Sequence, residues 1–326
     1  MKAILIPEFG APEVMQMGAW ETPAPGPKEI RVKIKATALN RADTMQRRGV
    51  YPPPPGESPI LGLEMAGVVE KIGDGVTKWK EGDRVCGLLG GGGYAEYCVT
   101  HEDMAISLPD QLSFEEGAAI PEVFLTAYQA LHWLAKIEAG EKILVHAGAS
   151  GVGTAAIQLI GLAGADAIVT ASAGKHQTCL DLGASHAIDY KKENFEEVVK
   201  ELTDGAGVQV IVDFIAAPYF QMNLNSLALE GRLVMLSLIG GVKPEGVNLA
   251  PILRKRLQII GTTLRARSLE YKIALTKDLQ TNCMPHFASG KLKPIIDSVI
   301  PWTEVVQGHQ RMESNQNAGK IVMVVS

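Results

Sequence analysis

Residues 142–164 (KILVHAGASGVGTAAIQLIGLAG) constrain the fold of this chain more than any other stretch. The run opens with apolar residues typical of a strand and passes through Gly148, Gly151 and Gly153. It continues with small and apolar residues at a spacing that a helix can bury. Such a turn presents unpaired N–H groups and the positive end of the helix dipole to a pyrophosphate. The spacing is G-x-x-G-x-G, not G-x-G-x-x-G, so the interpretation depends on the position between strand and helix. The stretch predicts a dinucleotide site, with a merely tight strand-to-helix turn as the alternative.

The composition excludes several broad classes of function. With 326 residues the chain is long enough for two domains, and no run approaches the roughly 20 apolar residues of a membrane span. The net charge of −5 gives no general attraction to nucleic acid, and we expect the basic triplet at 254–256 to be a solvated face or a protein contact. The four cysteines form no C-x-x-C pair, which favours free thiols and a cytoplasmic protein.

The pattern of elements divides the chain into a β-rich domain and an α/β domain. Residues 1–118 alternate short β-type runs, one of them at 84–88, with turns that include the proline run at 52–55, which must be a surface loop or rim. Residues 119–263 alternate strands and helices, among them a helix over 121–136 and a strand over 232–238, which predicts a doubly wound parallel sheet with its ligand at the carboxyl ends of the strands. The β-type runs near the end, within 264–326, have no place in that sheet. We therefore expect them to return to the first domain, so that the α/β domain is inserted in the β-rich one.

Several motifs together resemble the medium-chain dehydrogenase/reductase superfamily over essentially the whole chain. They are residues 38–43 (ALNRAD), 62–67 (GLEMAG), 82–85 (GDRV), 146–153 (HAGASGVG) and 317–322 (NAGKIV). Within the superfamily the likeness is to the zinc-free quinone oxidoreductases of the zeta-crystallin group. The resemblance implies a Rossmann domain inserted in a GroES-like substrate domain, an NADPH cofactor and a homodimer.

Both zinc sites of the superfamily lack their ligands in this sequence. A catalytic zinc would need cysteine near Asn40 and histidine before Glu64, where Asn40 itself and Leu63 stand. A structural zinc would need four closely spaced cysteines, of which only Cys86 and Cys98 are present. We expect no metal. Without a Lewis acid to stabilise an alkoxide, alcohol oxidation is disfavoured, and hydride transfer to an electrophilic acceptor remains.

The end of the second strand of the α/β domain predicts which nicotinamide cofactor binds. An NAD site usually places Asp or Glu there to hold the ribose diol, whereas this chain has Ser172 and then Lys175. An absent acid together with a nearby lysine suits a 2′-phosphate. Tyr190, after the third strand, matches a position that contacts this phosphate in the related enzymes. A solvated surface lysine is the alternative for Lys175.

The resemblance and the positions of strand ends supply the remaining candidate residues. Ala216 and Ala217 stand where relatives more often have glycines, which disfavours close approach of a cofactor to the backbone there. The complete set of expected cofactor-binding residues is Arg41, Asp43, Thr44, Thr126, Gly148, Ser150, Gly151, Val152, Gly153, Ser172, Lys175, Tyr190, Leu238, Gly240, Gly241, Arg265 and Asn317. The expected catalytic residues are Tyr51, Asn40 and Ser150.

Tyr51 precedes the proline run, so we expect it to project from a stiff rim loop over the substrate site. There its ring would stack on a flat substrate and its phenol would bind the substrate's oxygen. The alternative is a rim tyrosine that only packs. We expect His146 to be a packed turn residue and Glu64 to belong to a buried hydrogen-bond network.

The sequence thus predicts NADPH-dependent reduction of quinones by direct hydride transfer, with the proton from solvent or from Tyr51. A reductase of conjugated enones or enals is the first alternative, since both kinds of substrate need a flat apolar site and a donor for the developing oxyanion. A non-enzymatic NADPH-binding structural or RNA-binding protein is the second, and the acidic net charge counts against RNA.

Overall fold

The computed structural model describes residues 1–326 and divides into two compact units. Unit 1 comprises Met1–Leu125 and Leu264–Ser326, and unit 2 comprises Thr126–Thr263. The first division falls after residue 125 where the sequence placed it after 118, and the second falls after residue 263 in both.

Fifteen strands are distributed along the whole chain. In order they are β1 (Lys2–Leu5), β2 (Gln16–Ala19), β3 (Glu29–Ala38), β4 (Glu64–Ile72), β5 (Arg84–Leu88), β6 (Tyr97–His101), β7 (Ala105–Ser107), β8 (Lys142–Val145), β9 (Asp166–Ala171), β10 (His186–Asp189), β11 (Val208–Asp213), β12 (Leu227–Met235), β13 (Gln258–Gly261), β14 (Ile296–Pro301) and β15 (Lys320–Val324).

The α-helices are mostly short, with one long exception in the C-terminal part of unit 1. They are α1 (Arg41–Arg47), α2 (Phe114–Ala118), α3 (Pro121–Tyr128), α4 (Gly151–Leu162), α5 (His176–Asp181), α6 (Phe195–Leu202), α7 (Phe220–Ser226), α8 (Ala250–Lys255), α9 (Leu269–Ala288) and α10 (Val305–Glu313). No helix has the length and apolar character needed to cross a membrane.

Unit 1 is built around a sheet with the order β14-β15-β3-β4-β5-β7, in which β6 also pairs with β3. Strand β15 runs antiparallel to β3, with Val322 opposite Ala38. The predicted return of the C-terminal strands to the first domain is therefore confirmed. Strand β3 alternates buried and more exposed residues along its first half because one face covers the core.

Unit 2 is a six-stranded parallel sheet with the order β10-β9-β8-β11-β12-β13. Its central strand β8 reads as a nearly continuous apolar run (KILV), as expected for a parallel sheet covered by helices on both faces. Ile143, Leu144 and Val145 of this strand are completely buried. The carboxyl ends of all six strands lie along one edge, where doubly wound folds bind their ligands.

Two elements differ from the sequence predictions. The helix predicted over 121–136 ends at Tyr128 and continues as a wider π-helical turn, Gln129–Leu134. The strand predicted over 232–238 is β12, which starts at Leu227, before the turn-like Glu230 and Gly231, and ends at Met235. Glu230 adopts a φ of 59° and β11 and β12 shift register nearby, so the strand continues through an irregularity.

Candidate functional site

The glycine turn of unit 2 joins β8 directly to α4, as the sequence predicts. Ser150 caps this helix, and its hydroxyl oxygen accepts a hydrogen bond from the N–H of Gly153 at 3.1 Å. The N–H groups of Gly151 and Val152, the two residues between Ser150 and Gly153, have no acceptor within the chain. These groups and the helix dipole suit an anionic diphosphate, and Ser150 is thereby engaged in capping the helix.

Two of the three glycines are needed for the close packing of this turn. A Cβ at Gly153 would collide with the backbone carbonyls of Ala147 and Gly148, and one at Gly148 would collide with the side chain of Val169. These glycines let the helix approach the strand layer, which is the packing role known for such turns. Gly151, the first residue of α4, is the glycine at the open end of the helix.

The predicted 2′-phosphate residues come together through the register of two parallel strands. Asp189 of β10 lies opposite Ala171 of β9, so Tyr190 and Ser172 follow the two strands side by side. Lys175 ends the short turn that begins after Ser172, and its backbone N–H binds the Ser172 carbonyl. Tyr190 is 45% exposed and is therefore accessible to a ligand. One hydroxyl, one cation and one phenol thus share one corner of the sheet edge, without a carboxylate at the end of β9.

A third segment of this edge follows β12 and includes Leu238, Gly240 and Gly241. Leu238 is 51% exposed, and the N–H of Gly240 binds the carbonyl of Ile215. A Cβ at Gly240 would meet that carbonyl and the ring of Pro218, so glycine is required there. The segment therefore lies directly beside the turn that follows β11.

Ala216, in the turn after β11, has a backbone conformation that usually belongs to glycine. Its φ is 68° and its ψ is −113°. The carboxylate of Asp213 holds the turn by accepting bonds from the N–H groups of Ile215 and Ala216 and from the amide of Asn223. The chain thus keeps the glycine-like backbone without the glycine, at a cost of about 1–3 kcal/mol in strain.

We expect Ala216→Gly to raise the free energy of unfolding by about 1 kcal/mol, because strain relief exceeds the entropy that glycine adds to the unfolded chain. Equilibrium denaturation measures this difference. The matched control is Ala217→Gly, next along the chain in a short 3₁₀ turn, which should destabilise or leave stability unchanged. A loss of stability in Ala216→Gly would contradict the strain assigned to this residue.

Two further residues of unit 2 can be placed. The hydroxyl of Thr126 is buried and has no hydrogen-bond partner within the chain, which leaves it available to bind a ligand. His146 is fully buried between Thr170, at 3.1 Å, and Asn223, at 2.8 Å, and burial lowers its pKa. It is a packed residue, as the sequence indicates.

The basic triplet of residues 254–256 has a structural explanation. Lys255 binds the backbone carbonyls of Asn225 and Leu227, each at 2.6 Å, and Arg256 pairs with Glu230. At least two of the three cations therefore satisfy groups of the same unit.

In unit 1, Asn40 belongs to a buried polar network centred on Glu64. Glu64 is fully buried and pairs with Lys320 at 2.7 Å, and the amide of Asn40 donates to the same carboxylate at 2.9 Å. The Asn40 carbonyl oxygen accepts from Lys320 at 2.6 Å. Both polar atoms of Asn40 are thus occupied within the fold, so the side chain positions its neighbours. Glu64 lies in a buried network, as the sequence indicates.

Asp43 and Thr44 lie inside unit 1. The Asp43 carboxylate is fully buried and accepts from the backbone N–H groups of Asn40 and Gly62 and from the phenol of Tyr94, at 2.7, 3.1 and 3.2 Å. Burial raises the pKa of Asp43 to about 6. Thr44 is 1% exposed and its hydroxyl donates to the Arg41 carbonyl. Both side chains are almost completely buried in unit 1, and the cofactor contacts expected from the sequence stay a prediction.

Arg41 and Asn317, also expected near the cofactor, have partners inside unit 1. The Arg41 guanidinium donates to the side chain of Asn315 at 2.7 Å, and burial lowers its pKa. The amide of Asn317 donates to the Gly319 carbonyl at 2.8 Å. Both residues remain more accessible than Asp43.

Tyr51 and Arg265 contact each other, and one nitrogen of Arg265 has no hydrogen-bond partner. The Arg265 guanidinium lies over the Tyr51 ring, 5.5 Å from its centre. The same guanidinium donates to the Gly90 carbonyl at 2.8 Å and to Gln46 at 2.7 Å, while its third nitrogen, Nη1, is buried without a partner. Arg265 is only 5% exposed, so an unpaired N–H there is costly unless a ligand accepts it. The pair offers a phenol, a ring face and a charged donor.

Sequence reasoning missed the carboxyl group of Glu122, whose charge interacts with those of Tyr51 and Arg265. Glu122, at the start of α3, has its backbone N–H bound to Glu64 at 2.9 Å, and its own side chain is not hydrogen-bonded within the chain. The burial of this carboxyl, next to the charge of Glu64, raises its pKa to about 8. Glu64 and Glu122 are 58 residues apart, so only the P-E dipeptide that opens a helix signalled the group.

Metal ligands are not grouped anywhere in the chain: no three His, Cys, Asp or Glu side chains come together as a metal site. All four cysteines are free, as expected from their spacing, and all four are buried.

Comparisons with known proteins agree with this geometry. Residues 26–110 match the alcohol dehydrogenase GroES-like domain, and residues 151–278 match the zinc-binding dehydrogenase domain. The quinone oxidoreductase of Rattus norvegicus is 31% identical over 330 residues, covering 100% of this chain and 98% of the relative. Among solved structures, the chain is similar to the quinone oxidoreductase of Pseudomonas syringae, with 34% identity, 99% coverage of each chain and a TM-score of 0.85. It is also similar to the CurK enoyl reductase, with 28% identity, coverage of 100% and 99%, and a TM-score of 0.89.

Proposed function

Because the chain belongs to the medium-chain dehydrogenase/reductase superfamily, as an oxidoreductase with a nicotinamide cofactor, we propose that it is a zinc-free, NADPH-dependent quinone oxidoreductase. The observation that carries the proposal is the pairing of Tyr51 with the buried, unpartnered Nη1 of Arg265. A flat acceptor with a carbonyl oxygen satisfies that nitrogen and stacks on that ring.

The residues of unit 2 fit a dinucleotide. The free N–H groups of Gly151 and Val152 would hold the diphosphate, and the partnerless hydroxyl of Thr126 offers a further contact. Ser172, Lys175 and Tyr190 would hold a 2′-phosphate at the corner where β9 and β10 end. When bound, the nicotinamide supplies the hydride.

The groups of unit 1 would act on the acceptor. Arg265 would donate a hydrogen bond through Nη1 to the acceptor's oxygen, where negative charge develops as hydride arrives. The Tyr51 phenol would donate a second bond, and its ring, held under the guanidinium, would pack against the acceptor. A quinone or a conjugated enone needs little more activation than such positioning, so a metal is not required for this chemistry.

Tyr51→Phe keeps the ring under Arg265 and removes only the hydroxyl. We expect kcat/KM for quinones to fall about 2- to 12-fold, the value of one neutral hydrogen bond of ~0.5–1.5 kcal/mol, with unchanged NADPH affinity. Steady-state kinetics and fluorescence titration of NADPH measure the two quantities. Unchanged kcat/KM would reduce Tyr51 to a stacking or packing residue.

Reduction of conjugated enones or enals is the second candidate function. It is favoured by the likeness to an enoyl reductase over the full chain, and the same donors would serve an enone oxygen. A panel of quinones, enones and enals, assayed by NADPH oxidation with and without a chelator, distinguishes the two. Higher kcat/KM for quinones, unaffected by chelation, is the expected result, whereas cofactor binding without turnover of any acceptor would favour a non-enzymatic role.

We also propose that the protein is a homodimer. Strand β13 is an edge strand of the unit 2 sheet. Exposed apolar side chains lie on this strand and on the segment that precedes it: Val242, Leu249, Leu253 and Ile259 are 69%, 64%, 82% and 39% exposed. An apolar surface of this kind is typical of a protein–protein contact. Sedimentation equilibrium tests the proposal, and a monomeric mass would refute it.

A further inference from the structure

We propose that Gln46 is a positioning residue that fixes the direction in which Arg265 donates to the acceptor and leaves the charge of the guanidinium unneutralised. The inference rests on the proposed function and deepens it. In that function Arg265 donates a hydrogen bond through Nη1 to the acceptor's oxygen, where negative charge develops. Such a donor has to be held in one direction and has to keep its charge, and the contacts of Gln46 satisfy both requirements.

Two of the three nitrogens of Arg265 are held by neutral oxygens of unit 1. Nε donates to the Gly90 carbonyl at 2.8 Å, and Nη2 donates to Oε1 of Gln46 at 2.7 Å. Because a guanidinium is a planar, rigid fork, fixing two of its nitrogens also fixes the N–H directions of the third. That third nitrogen, Nη1, is buried and has no partner within the chain. Gly90 and Gln46 together therefore determine where Nη1 donates.

The amide of Gln46 is itself held in one orientation. Its Nε2 donates to the Pro59 carbonyl at 2.9 Å, and a carbonyl oxygen can only accept. An arginine nitrogen can only donate, so Oε1 has to face Arg265. Gln46 is 3% exposed on α1, so water has little access to either bond. The Pro59 carbonyl thus fixes the amide, and the amide fixes the guanidinium.

The neutrality of Gln46 distinguishes Arg265 from the other buried arginine of unit 1. Arg47 is 1% exposed and pairs with the carboxylate of Glu313 at 2.6 Å, so its charge is compensated within the fold. Arg265 has no carboxylate in direct contact.

This arrangement costs stability, because a buried charge without a counter-charge beside it is poorly solvated. Burial accordingly lowers the pKa of Arg265, and carboxylates farther away oppose that effect only in part. A purely structural arginine gains nothing from neutral partners. A donor to a developing oxyanion does gain, since its charge remains available to the acceptor.

Two substitutions of Gln46 separate direction from charge. Gln46→Met has a similar length but no acceptor, so Nη2 of Arg265 is no longer held, and we expect kcat for quinones to fall about 10- to 100-fold. Gln46→Glu keeps an oxygen beside Nη2 and neutralises the guanidinium, and kcat should fall by about the same factor. The oxyanion forms only as hydride arrives, so KM for the quinone and NADPH affinity should change by less than about 3-fold.

Matched controls show whether the position matters. Gln280, exposed on α9, is changed to methionine and to glutamate, and both variants should keep the wild-type kcat. Urea denaturation establishes that each variant is folded, and either Gln46 variant carries the test if the other does not fold. A merely structural role for Gln46 would lower the midpoint of unfolding and leave kcat of the folded protein unchanged.

A double-mutant cycle then tests whether Gln46 acts through Arg265. In an Arg265→Met background, Gln46→Met should lower kcat by less than about 2-fold, because the group that it positions is gone. A wild-type kcat in the folded Gln46 variants, or an equal loss with and without Arg265, overturns this inference alone. A wild-type kcat in Arg265→Met, or a wild-type protein inactive with every quinone, overturns the proposed function on which it rests.

Discussion

Replacing Lys320 with methionine is expected to lower the free energy of unfolding by about 3–5 kcal/mol, the effect of leaving one buried charge unpaired. Lys320 is 3% exposed and Glu64 is fully buried, with 2.7 Å between the ammonium and the carboxylate. The ammonium also binds the carbonyl oxygens of Leu39 and Asn40. Its loss would leave the Glu64 carboxylate with the Asn40 amide and the Glu122 N–H alone.

Urea denaturation monitored by a signal from unit 1 measures this loss. The control is Lys320→Met combined with Glu64→Gln, which removes both charges and should recover much of the lost stability, because a neutral pair pays no Born penalty. A loss below about 1 kcal/mol in the single variant, the value of a surface pair, would show that the pair is hydrated in solution.

Lys175→Ala is expected to weaken NADPH binding roughly 10- to 150-fold. A hydrogen bond to a charged group contributes about 1.5–3 kcal/mol, and ~1.4 kcal/mol corresponds to a factor of ten. NADH affinity should barely change because NADH lacks the 2′-phosphate. Calorimetric titration with both cofactors measures the two affinities.

Two variants control for the effect of Lys175→Ala. Lys175→Arg should keep the preference, since the charge remains, and Lys277→Ala, an exposed lysine of α9, should have no effect. If both cofactors lost affinity equally in Lys175→Ala, the lysine would support the turn after β9 and would not bind a phosphate.

Regular elements were predictable from the sequence wherever apolar residues either alternate with polar ones or form a continuous run. Strand β5 alternates little and has the predicted bounds, Arg84–Leu88, because its run of apolar residues is fully buried. The return of β15 to β3 was also predictable, because a βαβ sheet has no place for a late strand. The π-helical turn at Gln129–Leu134 was not, since its composition is that of an ordinary helix.

The site was predictable in its local parts and less so where distant residues meet. The turn at Gly148–Gly153 follows from the strand-to-helix pattern, and Tyr190 was placed with Ser172 by the family resemblance. The burial of Asp43 depends on Tyr94, 51 residues away, and a motif does not indicate which way a carboxylate faces. Glu122 acquires its properties only from the fold, which brings Glu64 to the N-terminus of α3.

The most direct test of the central claim is a paired assay of wild-type protein with a para-quinone and either NADPH or NADH, with hydroquinone and oxidised cofactor both quantified. The account predicts one hydroquinone for each NADPH oxidised and a kcat/KM at least about 10-fold higher with NADPH than with NADH. Absence of quinone-dependent NADPH oxidation, or equal use of the two cofactors, would contradict it.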